Sequence, residues 1–287
     1  ELRVMQRGQC ETGTIFEADP DVLQHKIDEV SEQLGFRVPV DEETANILVL
    51  TSGLDIMLFN DALAGTARIL HHIGEPWSFC TEAYESANFG LLSGHEDTQR
   101  FASKKIIETA AACGAKLIIT PECGHAFPSL RWEGAEMVGH ELPFDIMSVS
   151  EYLGRQVMEG RLRLKKSPEK KVVALHDPCK VGRMGGSFDE PRAVLEALGL
   201  ELHETPSNRE YNFCCGGGAG VFLINRASDL RQKAYEIKMG EIKTTGAESL
   251  VVSCGSCRLN FEVGKMKAHD SIDVDSHVAL VAANQAD

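Results

Sequence analysis

Short apolar runs recur along the chain, separated by stretches with helical periodicity. Residues 46–53 read NILVLTSG, an apolar run that ends in turn residues. Residues 171–179, KVVALHDPC, have the same form. So do KLIITPECGHAF (116–127) and SLVVSCGSCRLNF (249–261), which both close on Cys-Gly. A short apolar run bounded by turn residues predicts a buried parallel strand. Residues 96–112 and 226–246 show instead the spacing of long amphipathic helices. Before residue 46 the pattern is mainly helical. It is clearest in DPDVLQHKIDEVSEQLG, where Asp19, ahead of Pro20, or Asp21 is placed to cap the start.

The same order of signals occurs twice. Each half has a strand, a cysteine in a glycine-containing loop, a long helix and a strand ending in Cys-Gly. The loops are FCTEAYESANFG around Cys80 and FCCGGGAGVF around Cys214. Cys80 to Cys123 spans 43 positions and Cys214 to Cys254 spans 40, so the landmarks repeat at an interval of 131 to 134. This reads as an internal duplication of an α/β unit with a parallel sheet. The expected organisation is a helical segment 1–45, a first unit 46–160, a basic linker 161–171 (RLRLKKSPEKK) and a second unit 172–287. The chain starts ELRVMQ without an initiator Met, and the helical segment is expected to continue from an upstream domain.

Composition narrows the function. The 287 residues carry a net charge of −14, with no basic arm, so a nucleic-acid role is not expected. No apolar run reaches the length of a membrane span, and no secretory signal is visible. Nine cysteines, an odd number, argue against a disulfide framework in such a chain. Cys113, near the end of a predicted helix, reads as a small core residue. Cys10, in a polar stretch, carries no signal.

The second half concentrates thiols at three predicted strand ends: Cys179, the adjacent pair Cys214 and Cys215, and Cys254-x-x-Cys257. In open parallel sheets, ligands bind at the C-terminal edge of the strands. Thiolate-only sites suit zinc, copper(I) or iron–sulfur clusters. A structural zinc ion takes four ligands and has no use for a fifth. Five cysteines with an adjacent pair therefore favour an unusual iron–sulfur cluster. Gly216 and Gly217 leave room for close approach and allow a positive φ. A nicotinamide or flavin site is disfavoured, because GGGAG follows a cysteine pair and not a strand.

The pattern Cys179…Cys214-Cys215-Gly216…Cys254-Gly255-Ser256-Cys257, approached through HDPC (176–179), resembles the cysteine-rich CCG-domain family. The catalytic subunits B and D of heterodisulfide reductase belong to that family. The resemblance covers roughly residues 46–270 as two copies, of which the second is complete. It implies that the five cysteines hold one noncubane [4Fe-4S] cluster per chain, with Gly216 and Gly217 beside it. The first copy departs from the pattern: SGLD (52–55) has no cysteine, the paired position reads Cys80-Thr81-Glu82, and the last motif reads Cys123-Gly124-His125-Ala126. This degeneracy and the phrase PECGHAF look most like the iron–sulfur subunit of the membrane complex associated with dissimilatory sulfite reduction.

The resemblance implies an oxidoreductase that reduces or forms a disulfide, a heterodisulfide or a protein-bound di- or trisulfide. The first copy is then either a decayed duplicate kept for packing or a substrate-facing wall. In the second case His125 donates a proton to a leaving thiolate, and Cys80 and Cys123 act as a redox pair or carry a persulfide. Expected partners are redox subunits carrying cubane iron–sulfur clusters, flavin or haem. The expected location is cytoplasmic, at the inner face of a membrane through those partners. Two other readings stay open: an electron relay without substrate contact, and a zinc-stabilised interaction module. His176 reads first as a loop anchor and second as a ligand. Lys180 and Arg183 either bring positive charge to the site or lie solvated.

Overall fold

The computed structural model describes residues 2–12, 21–82, 84–85, 87–168 and 171–286. Asp19 and Pro20, named above as start signals, and residues 169–170 of the basic run lie outside these. The chain forms two compact units, one through Ser148 and one from Val149.

The first unit is built on β1 (Ile47–Val49), β2 (Trp77–Phe79), β3 (Leu117–Thr120) and β4 (Asp145–Ser148). They form a parallel sheet in the order β2-β1-β3-β4. The apolar run at 46–53 yields only three strand residues. Its end, SGLD, starts helix Gly53–Met57 through a capping box in which Ser52 and Asp55 satisfy each other's backbone N–H. Helix Glu96–Ala112 has the predicted bounds. Helix Leu2–Thr12 is tied to this unit, since Gln9 exchanges hydrogen bonds with the Ala87 carbonyl (2.8 Å) and the Phe89 N–H (2.9 Å). Helix Asp21–Leu34 buries Leu23, Ile27 and Val30, the stripe its periodicity predicts.

The second unit repeats the plan with β5 (Val172–His176), β6 (Glu201–Leu202), β7 (Ser249–Val252) and β8 (Asp273–Ser276), ordered β6-β5-β7-β8 and all parallel. The predicted helix at 226–246 forms over Ser228–Lys243. Helix Val149–Met158 packs closely on helix Asp189–Ala197: a Cβ on Gly154 would sit 2.3 Å from Glu190 Cβ. Of the basic run, Leu162 is buried and Leu164 pairs with Gln285. The division between units thus falls at Ser148/Val149, ahead of that run.

Strand register changes one equivalence within the repeat. Ile47 pairs with Trp77, and Val173 pairs with Leu202. Cys80 directly follows β2, whereas Cys214 comes only after the long excursion 203–213 beyond β6. Register therefore matches Cys80 to the neighbourhood of Thr205, and the matching of Cys80 with Cys214 is corrected. The segment that returns to the end of β1 carries Glu85, bridged to Thr51.

Candidate functional site

The C-terminal edge of the second sheet gathers the sulfur atoms. β5 runs straight into His176, Asp177, Pro178 and Cys179. Asp177 is buried and accepts two hydrogen bonds from the Arg192 guanidinium, at 2.8 and 3.0 Å, and one from the Arg209 N–H at 2.7 Å. This bidentate pair fixes the loop that presents Cys179. β7 ends at Val252; two residues on, Cys254 caps helix Gly255–Ala268, and Cys257 lies in the first turn. Both thiols are buried at a helix N-terminus, an environment that favours negative charge.

Cys214 and Cys215 sit on the loop before helix Ser228–Lys243. Asn260 Nδ2 donates to the Cys215 carbonyl at 2.7 Å. The N–H groups of Gly216 and Gly217 lie 3.3 Å from the sulfurs of Cys214 and Cys215. Gly216 has φ +87°, and a Cβ there would meet Ala234 Cβ at 2.5 Å. A Cβ on Gly217 would lie 2.5 Å from the Ser256 carbonyl oxygen. The glycines let the loop lie against two helices while its amides face sulfur.

The five sulfurs form one chain of contacts, running Cys179–Cys214–Cys215–Cys257–Cys254. Cys215 Sγ and Cys257 Sγ are 3.0 Å apart. Contacts from the Cys179 and Cys215 thiols, with the Gly216 N–H, hold Cys214 down to about 2 against its burial. Cys179, Cys215 and Cys257 are pushed up, first by their sulfur neighbours and then, for Cys179 and Cys257, by burial. Cys215 is raised by Cys214 and by burial, with Cys257 acting the other way. Five thiolates at this spacing repel one another. The donor set fits a soft, multiply charged metal group whose binding displaces protons.

Cys214 is exposed and Cys179 half-buried, so the chain of sulfurs opens to solvent at one end. His176 joins at the buried Cys215–Cys257 contact. Among the described residues, the one group of three or more His, Cys, Asp or Glu donors close enough to share an ion is His176, Cys215 and Cys257, with all donor atoms within 4.8 Å. His176 stands edge-on to Phe261 with ring centroids 5.0 Å apart. Burial, then the Lys238 charge, lower its pKa to about 3 against the pull of Asp177 and Cys214.

Lys238, Asn212 and Thr205, polar groups around this edge, were not legible as site residues. Lys238 is fully buried and donates to Asn212 Oδ1 (2.8 Å), Thr205 Oγ1 (3.2 Å), the Ser207 carbonyl (3.2 Å) and Glu241 (3.1 Å). Asn212 in turn donates to the carbonyls of Asp177 (2.7 Å) and Phe213 (3.0 Å). Arg183 is spent on the same loop, donating to the carbonyls of Glu210 and Asn212.

In the first unit, Cys80 packs in an apolar cluster with Leu48, Leu50, Ile106 and Ile118. Cys123 is buried in the turn after β3, and His125 precedes helix Ala126–Arg131. These three do not form a shared-ion group. Glu85, by contrast, accepts from the N–H groups of Gly53 (3.1 Å) and Ala87 (3.0 Å), and burial raises its pKa to about 7. Cys113 packs against the core, and Cys10 is exposed with its sulfur 3.5 Å from Thr98 Oγ1.

Residues 173–262 match the model of the cysteine-rich (CCG) domain. The chain is 29% identical over 242 residues to a component of the dihydromethanophenazine:CoB–CoM heterodisulfide reductase of Methanosarcina mazei, covering 79% of this chain and 58% of that one. It is 30% identical over 183 residues to a probable membrane-anchored ferredoxin of Chromohalobacter salexigens, covering 63% and 27%. An Hdr-like menaquinol oxidoreductase iron-sulfur subunit of Archaeoglobus fulgidus is 23% identical over 285 residues, covering 83% and 51%. The chain thus spans little more than half the length of its heterodisulfide reductase relative from Methanosarcina mazei. Among the described residues, no helix is long and apolar enough to cross a membrane.

Proposed function

From the premise that this chain belongs to the CCG-domain family of heterodisulfide reductase-like iron–sulfur proteins, we propose that it reduces, or in reverse forms, a disulfide-type bond at one noncubane [4Fe-4S] cluster. The observation that carries this is the continuous chain of five sulfurs at one sheet edge. Cys179, Cys214, Cys215, Cys254 and Cys257 would hold the group, and Gly216 and Gly217 would donate N–H groups to it. Bound there, it supplies electrons one at a time to a reaction that needs two electrons and two protons per S–S bond cleaved.

The protein's own part is to fix five donors, shield three of them and leave the Cys214 end accessible. The substrate class is a small heterodisulfide or a protein-bound di- or trisulfide. Electrons come from partner subunits with cubane clusters, flavin or haem, at the cytoplasmic face of a membrane. His125 is assigned as the proton donor to a departing thiolate, with Cys123 two residues before it, while Cys80 stays with the apolar core.

Anaerobic purification with iron, sulfide and zinc analysis tests the core of this reading. About four irons per chain are expected, with a paramagnetic signal in the oxidised state. Cys215→Ala should lose most of the iron and all turnover; a variant with full iron and activity would remove the site assignment. Zinc without iron would leave an interaction module. His125→Gln should lower disulfide turnover at unchanged iron content, whereas an electron relay would tolerate the change.

A further inference from the structure

The Nε2 atom of His176 is buried and has no hydrogen-bond partner. The residue as a whole is 1% exposed. An orphaned buried N–H costs about 1–3 kcal/mol, and with a ring nitrogen of His176 within 4.8 Å of the Cys215 and Cys257 sulfurs the site asks for an acceptor.

The neighbours say which ring nitrogen carries the proton. Lys238 Nζ donates to Asn212 Oδ1 at 2.8 Å, and an ammonium has no acceptor to offer. The Asn212 amide is therefore oriented with its NH2 group away from Lys238. That NH2 serves the Asp177 and Phe213 carbonyls and also faces His176 Nδ1 at 3.5 Å. Nδ1 thus looks at a donor and is the bare nitrogen. The proton of the imidazole lies on Nε2, the atom without a partner.

We propose that His176 Nε2–H donates a hydrogen bond to cluster-bound sulfur at the buried Cys215–Cys257 contact, with Asn212 and Lys238 fixing the tautomer. This rests on the cluster reading above. It makes His176 a tuning and positioning residue, not a sixth ligand. A hydrogen bond to sulfur favours the more negative, reduced form and so raises the reduction potential.

The test is an anaerobic redox titration, followed by EPR, of wild type, His176→Phe and His176→Gln, with iron measured in each. Both variants should keep wild-type iron. His176→Phe should lower the equilibrium constant for one-electron reduction about tenfold, or about 59 mV. His176→Gln restores an N–H and should recover most of that loss. An unchanged midpoint in His176→Phe overturns the proposal. Pulsed EPR of wild type labelled with 15N-histidine needs no variant to fold: a weak nitrogen coupling is expected. A strong coupling would mean direct ligation, and no coupling would mean no contact; either overturns the proposal. Wild type without iron would sink the cluster reading itself, an outcome separate from these.

Discussion

Two buried ionisable residues, one in each unit, respond to pH in opposite directions. His277, at the start of helix His277–Ala283, is fully buried, which lowers its pKa to about 4 from 6.5. The unfolded chain binds that proton first, so the stability from a neutral His277 is complete above 6.5 and lost as pH falls toward 4. A shift of this size corresponds to about 3 kcal/mol. Glu85 in the first unit behaves the other way. Its pKa is raised to about 7 from 4.5, so its contribution is complete below 4.5 and lost as pH rises through 7. Calorimetry from pH 4 to 8 should show Glu85→Gln flattening the alkaline loss, and His277→Leu flattening the acid loss. Loss of both slopes in one variant would contradict the assignment. Asp177→Ala leaves Arg192 with half its buried pairing and should cost about 3–5 kcal/mol. Urea unfolding measures this directly.

At the scale of elements, close packing around glycine decides how far the sulfur loop tolerates change. Gly217→Ala must displace helix Gly255–Ala268, because its Cβ meets the Ser256 carbonyl and Asn260 Cβ at 2.5 and 2.7 Å. The expected cost is about 1–3 kcal/mol, with iron binding weakened as Cys257 moves with the helix. A thermal melt and an iron assay on the same preparation separate the two effects. These elements also show what sequence pattern can carry. β3 and β7 were legible because their apolar runs end in Cys-Gly, and helix Glu96–Ala112 because its stripe is long. β8 was not, since Asp273-Val-Asp-Ser offers one buried apolar residue and takes its identity from pairing with β7. Lys238 was illegible for a related reason: on a helix rich in charge it reads as solvated, and only tertiary structure buries it.

On the scale of the whole molecule, the duplication was legible as spaced cysteines, and the matching strand orders repeat it. Spacing alone misassigned Cys80, because loops of unlike length follow β2 and β6, and spacing cannot tell a loop's length from its path. The register of β1 and β5 supplies what spacing lacks.

The order of the sulfurs in space has a bearing on synthesis. Cys257 touches Cys215, and Cys254 closes the far end, yet these two leave the ribosome last of the five. β7 must slide in beside β5 before they arrive, a pairing between residues about seventy-five positions apart. A growing chain therefore exposes three thiols with nothing to complete them until Cys254 and Cys257 have emerged. A polypeptide cut short before Cys254 keeps three of the five sulfurs and neither thiol of the helix N-terminus that completes the set.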